Sequence, residues 1–183
     1  MKKFLIVLAI LAVLLFAIRY AIINYTKRFS PEVHSEFTDG KLTIDIFYSS
    51  PAKKGREIFG NLVPYDSLWR TGANEATVFD TNQDLLIDGK VLKAGKYSLW
   101  TIPREQFWTV IFNKETGQWG IDYSGLPNRN PQKDALAAQA TSVVQDKEIE
   151  KFTIFVEKAD DDYQLVFMWD KTVVSLPLRL SSR

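Results

Sequence analysis

"KLTIDIFYSS", Lys41–Ser50, is the stretch on which the fold turns. Leu42, Ile44, Ile46 and Tyr48 fall on one side of an extended chain, Thr43 and Asp45 on the other. A period of two marks a strand with one buried face, because successive side chains point to opposite faces of a sheet. Downstream the pattern recurs in shorter pieces. "EATVFDT" and "DLLI" read as strands, and "DGKVLKAGKYSLWTIP" places turns at Asp88-Gly89 and Ala94-Gly95 between apolar runs. "QFWTVIFNKETGQWGIDY" reads as strand, turn at Thr116-Gly117, strand. The carboxy-terminal "IEKFTIFVEKADDDYQLVFMWDKTVVSLPLRL" reads as three strands broken at Ala159–Asp162 and Asp170-Lys171. "KDALAAQATSVVQ" is rich in the best helix former, yet it is short and ends β-branched, so an edge strand is expected there. About nine strands at this spacing predict an all-β fold, a single antiparallel β-sandwich or jelly-roll-like domain over residues 41–183.

Upstream, residues 24–40 read as a polar linker punctuated by Pro31 and Asp39-Gly40. Residues 1–23 open on Lys2 and Lys3 and continue in an apolar run from Phe4 to Ile18. Extended to Ile23 as a helix, with Arg19 snorkelling, the run reaches about 30 Å, the thickness of a bilayer's hydrocarbon core. "FAIRYAIINY" offers no A-x-A cleavage site, which favours an uncleaved anchor over residues 4–23 against a removed signal peptide. An anchor makes the cytoplasmic membrane a partner through residues 4–23, and either reading puts the carboxy-terminal domain outside the cytoplasm, in the periplasm. A single-pass cell-membrane protein is expected.

Composition narrows the function classes. The chain has 183 residues, 46% apolar and 25% charged, which is ordinary for a folded domain with an appendage. Outside the first 23 residues it carries 20 basic and 22 acidic side chains. That balance predicts no nucleic-acid partner, which would need a basic face. The absence of cysteine excludes disulfides, thiolate catalysis and zinc ribbons. The one histidine, His34, sits in the linker region and reads as a solvent-exposed bystander, so no metal site is expected. "GREIFG" lacks the Lys-Ser/Thr of a phosphate loop. "ADDDY" lacks calcium-loop spacing and reads as a solvated hairpin tip. No cofactor is expected.

The polar run "LWRTGANEAT", Leu68–Thr77, lies between an irregular glycine- and proline-broken segment, 51–73, and a strand. Its candidate residues are Arg56, Trp69, Arg70, Asn74 and Glu75. Three readings compete. They form a structural clasp satisfying a loop that crosses the sheet. Or, with Trp69, Trp100, Trp108 or Trp119, they line a groove for an envelope ligand such as a glycan, or for a protein partner. Or Glu75 works with Asp66 or Asp134 as a carboxylate-based hydrolase acting on an envelope glycan. Because Trp69 draws the stretch inward, a direct Arg70–Glu75 pair is expected, each charge compensating the other.

"GREIFGNLVPYDSLWRTGANEATVF", followed by "LKAGKYSLWTIP", "WTVIFN" and "QWG", resembles a bacterial extracytoplasmic family known as domain of unknown function 2911. The resemblance spans about residues 41–178, and Trp-Arg-Thr-Gly-Ala-Asn-Glu is its most specific run. It implies a β fold behind an export signal and no assigned reaction. The family pattern follows an Asp such as Asp134 with an Arg three residues on, where this chain has Ala137.

Overall fold

Alternation in Leu42–Ser49 (β2) is realised as read: Leu42, Ile44, Ile46 and Tyr48 are buried while Thr43 and Asp45 are half-exposed. The computed structural model describes residues 2–181. Helix α1, Lys2–Lys27, precedes nine strands. They are β1 Glu32–Asp39, β2, β3 Val78–Thr81, β4 Leu85–Ile87, β5 Lys90–Leu92, β6 Gly95–Pro103, β7 Phe107–Asn113, β8 Asp134–Ala159 and β9 Asp162–Leu180. All pairings are antiparallel, in the order β1-β2-β3-β6-β7-β8-β9-β4-β5. The all-β fold behind an amino-terminal apolar helix is therefore the one observed.

The nine strands form one sheet that curls back on itself. The chain leaving β2 docks on the middle of β8: Ser50 Oγ donates to Phe152 O at 2.7 Å, Phe152 N to Pro51 O at 3.0 Å, and Lys53 N to Glu150 O at 2.7 Å. Ser50 is buried, so this hydroxyl joins the two halves of the sheet where water cannot compete. Tyr48 does the same one turn of the pleat earlier, its hydroxyl accepting from Ile154 N at 3.1 Å. Between the halves, Leu42, Ile44, Phe79, Leu99, Val110, Phe152, Leu165 and Trp108 share one core. A second, small core of Ala76, Trp100 and Ile111 lies on the far side of β6 and β7, roofed by the 68–77 segment.

Four sequence expectations are corrected. The segment 24–40 is not a linker: α1 runs to Lys27 and β1 begins at Glu32, its side chains alternating half-buried against β2. Polar residues at alternate positions had disguised an edge strand, whose outer face needs no apolar residues. "KDALAAQATSVVQ" is a strand, but it belongs to β8 inside the strand order rather than at its end: its Asp134–Thr141 pair with β7 and its Thr141–Val144 with β9. Its small alanines let Ala138 and Ala140 pack tightly beneath β7. The carboxy-terminal strands number two rather than three: β9 runs through Asp170, which takes φ +53° opposite the irregular stretch of β8 after Val144. "QWGIDY" is a loop rather than a strand, held by an Ile121–Pro127 bridge and by Gln118 O, which accepts from Ala76 N at 3.1 Å.

No residue of α1 is buried, and its apolar side chains are exposed apart from a half-buried Ile23. At 1.5 Å per residue its 26 residues reach about 39 Å, long and apolar enough to cross a bilayer. Such a helix at the amino terminus is a membrane anchor or a signal sequence.

Candidate functional site

The segment from Pro51 to Thr77 plugs one end of the curled sheet. Ile58 and Val63 enter the main core, and Trp69 follows, clamped to β6 by backbone bonds in both directions with Thr101 at 2.7 and 2.9 Å. Its indole meets Phe59, Trp108, Phe152 and Trp169, stacking on the last with centroids 6.1 Å apart. Its Nε1 donates to Gly72 O at 3.0 Å. The chain then doubles back through Thr71, Gly72 and Asn74, all at positive φ. For Thr71 this is strained backbone, held by the Thr77 hydroxyl, which donates to Thr71 O at 2.5 Å. A side chain at Gly72 would put its Cβ 3.0 Å from Ser49 O, so glycine alone fits.

Asn74 is a clasp. It is buried, and its amide donates to Ser30 O at 3.2 Å and Ser49 Oγ at 3.3 Å, joining this loop to the end of β2 and to the chain leaving α1. Glu75 takes part from outside: its partner is Lys27 at the end of α1, 3.0 Å away, and Lys27 also holds Glu32 at 2.7 Å. The expected Arg70–Glu75 pair is thus not formed. Among the described residues Arg70 has no carboxylate within ion-pair distance, and its Nη1 reaches only Trp119 O at 3.5 Å. Lys27, separated from Glu75 by 48 positions, supplies the counter-charge that local spacing seemed to demand from Arg70.

Arg70 is instead seated against Gly120. A Cβ there would lie 2.5 Å from Arg70 Cδ and 2.9 Å from its Cβ, so the missing side chain is the slot the arginine occupies. Burial draws the guanidinium's pKa below its ordinary value, an effect the more distant Glu75 charge partly opposes.

Between these elements lies an open recess of about 770 Å³. Trp69, Trp169 and Phe29 supply aromatic wall, and Lys54, Arg56 and Arg70 supply charge. No Asp or Glu lines it. Arg56 is braced by donating Nε to Lys53 O at 2.9 Å and Nη2 to Ala52 O. Lys54 Nζ stands 4.9 Å over the Phe29 ring. Neither forms an ion pair among the described residues, whereas neighbouring Lys53 is neutralised by Glu148 at 2.8 Å and Asp170 at 2.6 Å.

Residues 30–178 match the family described as protein of unknown function, DUF2911. The chain belongs to that family. No curated protein and no solved structure matches it. The DUF2911 match begins at Ser30, so β1 lies inside the family's domain, in keeping with its place in the sheet.

Of the expected site residues, Arg56, Trp69 and Arg70 line the recess, while Asn74 and Glu75 do not, Asn74 being tied to Ser30 and Glu75 to Lys27. Trp100 and Trp108 are fully buried core, and Trp119 contributes its carbonyl. The three carboxylates proposed for hydrolysis are scattered. Glu75 pairs with Lys27, Asp66 with Arg104 at 2.6 Å, and Asp134 with Arg129 while accepting from Asn113 Nδ2 at 2.7 Å. Ala137 is exposed on β8, away from the recess-lining residues. Missed in the sequence were Lys54, Phe29, Trp169 and Gly120. The "KKGR" run was the available signal for Lys54, but Trp169 lies a hundred residues from Trp69 and meets it only through the core.

His34 is likewise not a linker bystander. On β1 its ring stacks on Phe47 at 4.2 Å, and its Nε2 lies 2.6 Å from Asp45 Oδ1. Glu36 brings a second carboxylate alongside, and the trio's ligand atoms lie within 4.8 Å of one another on an exposed sheet face.

Proposed function

We propose that this DUF2911 member is a membrane-anchored, extracytoplasmic binding domain, and that the recess under the 51–73 segment holds an anionic ligand of the cell envelope. One observation carries the reading: three cationic side chains converge on an aromatic wall with no carboxylate among them. Arg70, half-buried there with no ion-pair partner among the described residues, is costly to desolvate unless an anion completes it, while Lys54 and Arg56 stand exposed at the mouth. The strained turn at Thr71–Asn74 is consistent with a site held rigid before its ligand arrives. The recess is lined by aromatic and aliphatic carbon as well as charge, which suits a ligand with an apolar or sugar-ring face beside its acidic group. Binding is favoured over hydrolysis because Glu75, Asp66 and Asp134 each face a different cation and none lines the recess. The uncleaved anchor is supported by Lys27 at the end of α1, which is built into the domain through Glu75.

Titration of the full chain in neutral detergent tests this through the emission of Trp69 and Trp169. Glycerol 1-phosphate or glucuronate should give a saturable change, and equimolar glucose should not. Arg70→Gln should weaken the response at least about 10-fold, the loss of roughly one charge-assisted contact. A response to glucose equal to that of the anions, or no response to any of them, overturns the reading. Amino-terminal sequencing of the membrane-bound protein should return the native start, and a start after residue 20 would show a cleaved signal instead.

A further inference from the structure

The recess has a position as well as a chemistry. Phe29 and Ser30, which line it, are the second and third residues beyond Lys27, the last residue of α1. At about 3.5 Å per residue they lie no more than roughly 10 Å from the helix end. A helix of about 39 Å overfills the roughly 30 Å hydrocarbon layer, so its last turn emerges among the headgroups. The connection is not a free tether. Lys27 grips Glu75, the Asn74 amide holds Ser30 O, and Ser50 N donates to Pro31 O at 2.9 Å. Three contacts within five residues fix the recess against the end of the membrane helix.

Around the recess, apolar side chains point into solvent where a soluble domain would bury them. Phe29 is 48% exposed, Leu62 43% and Leu126 62%. Tyr123, on the same 121–127 loop as recess-lining Ile121 and Gly125, is fully exposed. Apolar loop tips beside unpaired Lys and Arg are the combination that seats a protein surface in a lipid interface: carbon enters the acyl boundary while cations meet phosphate. Lys27 cannot serve that purpose, being neutralised by Glu32 and Glu75, whereas Lys54, Arg56 and Arg70 can.

Resting on the anion-binding reading above, we infer that the recess takes the phosphate headgroup of an anionic phospholipid from the leaflet in which the carboxy-terminal end of α1 is embedded. Lys54 and Arg56, exposed at the mouth, capture the phosphate, and Arg70 on its Gly120 seat holds it from within. Phe29 and Leu62 line the path of the glycerol and acyl chains. The domain is thereby pulled flat against the membrane as well as tethered to it.

The full chain in nanodiscs of equal phosphatidylglycerol and phosphatidylcholine tests this. After release into the gas phase, native mass spectrometry should find one phosphatidylglycerol retained per protein, in at least about 10-fold excess over phosphatidylcholine. The exposed double variant Lys54→Gln/Arg56→Gln should lose that excess, with urea unfolding showing that it remains folded. Equal retention of the two lipids, or phosphatidylglycerol retention unchanged in the double variant, overturns the lipid assignment. If glycerol 1-phosphate still titrates the tryptophans in that event, the recess is an anion site filled from solution, and only the membrane source fails. If neither lipid nor soluble anion binds, both readings fail together.

Discussion

Replacing Gly120 with alanine tests how Arg70 is held, and a second glycine on the same loop provides the control. Gly117 has φ +84°, and a Cβ added there would meet nothing within 4 Å, so Gly117→Ala introduces backbone strain alone. That strain is about 1–2 kcal/mol for an L-residue in left-handed conformation. Gly120 has φ +90° and so carries similar strain, but its new Cβ would also lie 2.5, 2.9 and 3.2 Å from Arg70 Cδ, Cβ and Cγ. The contact to Arg70 Cβ cannot be relieved by a side-chain rotation. Overpacking of this kind adds about 1–3 kcal/mol. Equilibrium urea unfolding of the full chain in detergent, followed by tryptophan emission, should therefore place Gly120→Ala below Gly117→Ala by about that difference. In an Arg70→Ala background the two contacts beyond Cβ disappear, so Gly120→Ala should cost less there, giving coupling between sites that touch. Anion affinity should fall in Gly120→Ala and stay unchanged in Gly117→Ala. Equal stability loss for the two glycine variants, with binding intact in both, would refute the seat.

Three further outcomes follow from the contacts described. Glu75→Ala should cost under about 1 kcal/mol, because it forms a partly exposed surface pair with Lys27, and a double-mutant cycle with Arg70→Ala should be additive; coupling above that level would restore the direct pair that the structure replaces. Tyr48→Phe should cost about 1–3 kcal/mol in urea unfolding by leaving the buried Ile154 N–H without an acceptor. The Lys158 ammonium, 2.8 Å from Asp39, holds that carboxyl below its ordinary pKa. A depressed carboxyl stabilises the fold above its unfolded pKa, about 3.9, and the contribution disappears as pH falls through the folded value. Wild type should therefore exceed Asp39→Asn in stability at pH 6, with the gap closing below about pH 4, as thermal melts across that range would show.

What the sequence disclosed, and what it hid, follows from how local each signal is. Leu42–Ser49 and the Asp88-Gly89 turn carry their own pattern, and both were readable directly. β1 was not, because an edge strand with half-exposed alternation has the composition of a loop. Asp170 resembles a turn in sequence, but the sheet absorbs its positive φ as an irregularity within one long strand. At the site, Trp69 and Arg70 could be singled out because an aromatic and a charge stand together in a polar run. Their true partners, Trp169, Gly120 and the solvent-side recess, are non-local and leave no trace at neighbouring positions. The same locality misled the pairing of Glu75, whose cation lies at the end of the amino-terminal helix.

The latch between Ser50 and Phe152 bridges 102 positions of chain, and that separation governs when the domain can become itself. At about 5–20 residues per second, synthesis alone delays the arrival of Phe152 by roughly 5–20 s after Ser50 has appeared. Throughout that interval the inward faces of β2, β3, β6 and β7 have no opposing half to cover them. Contacts this distant in sequence also form slowly once both ends are present, because loop closure precedes any gain from burial. A chain truncated before β8 would consequently be no smaller version of the fold but a set of unpaired strands awaiting a partner. The core of the nascent domain is thus completed only when β8 and β9 have emerged.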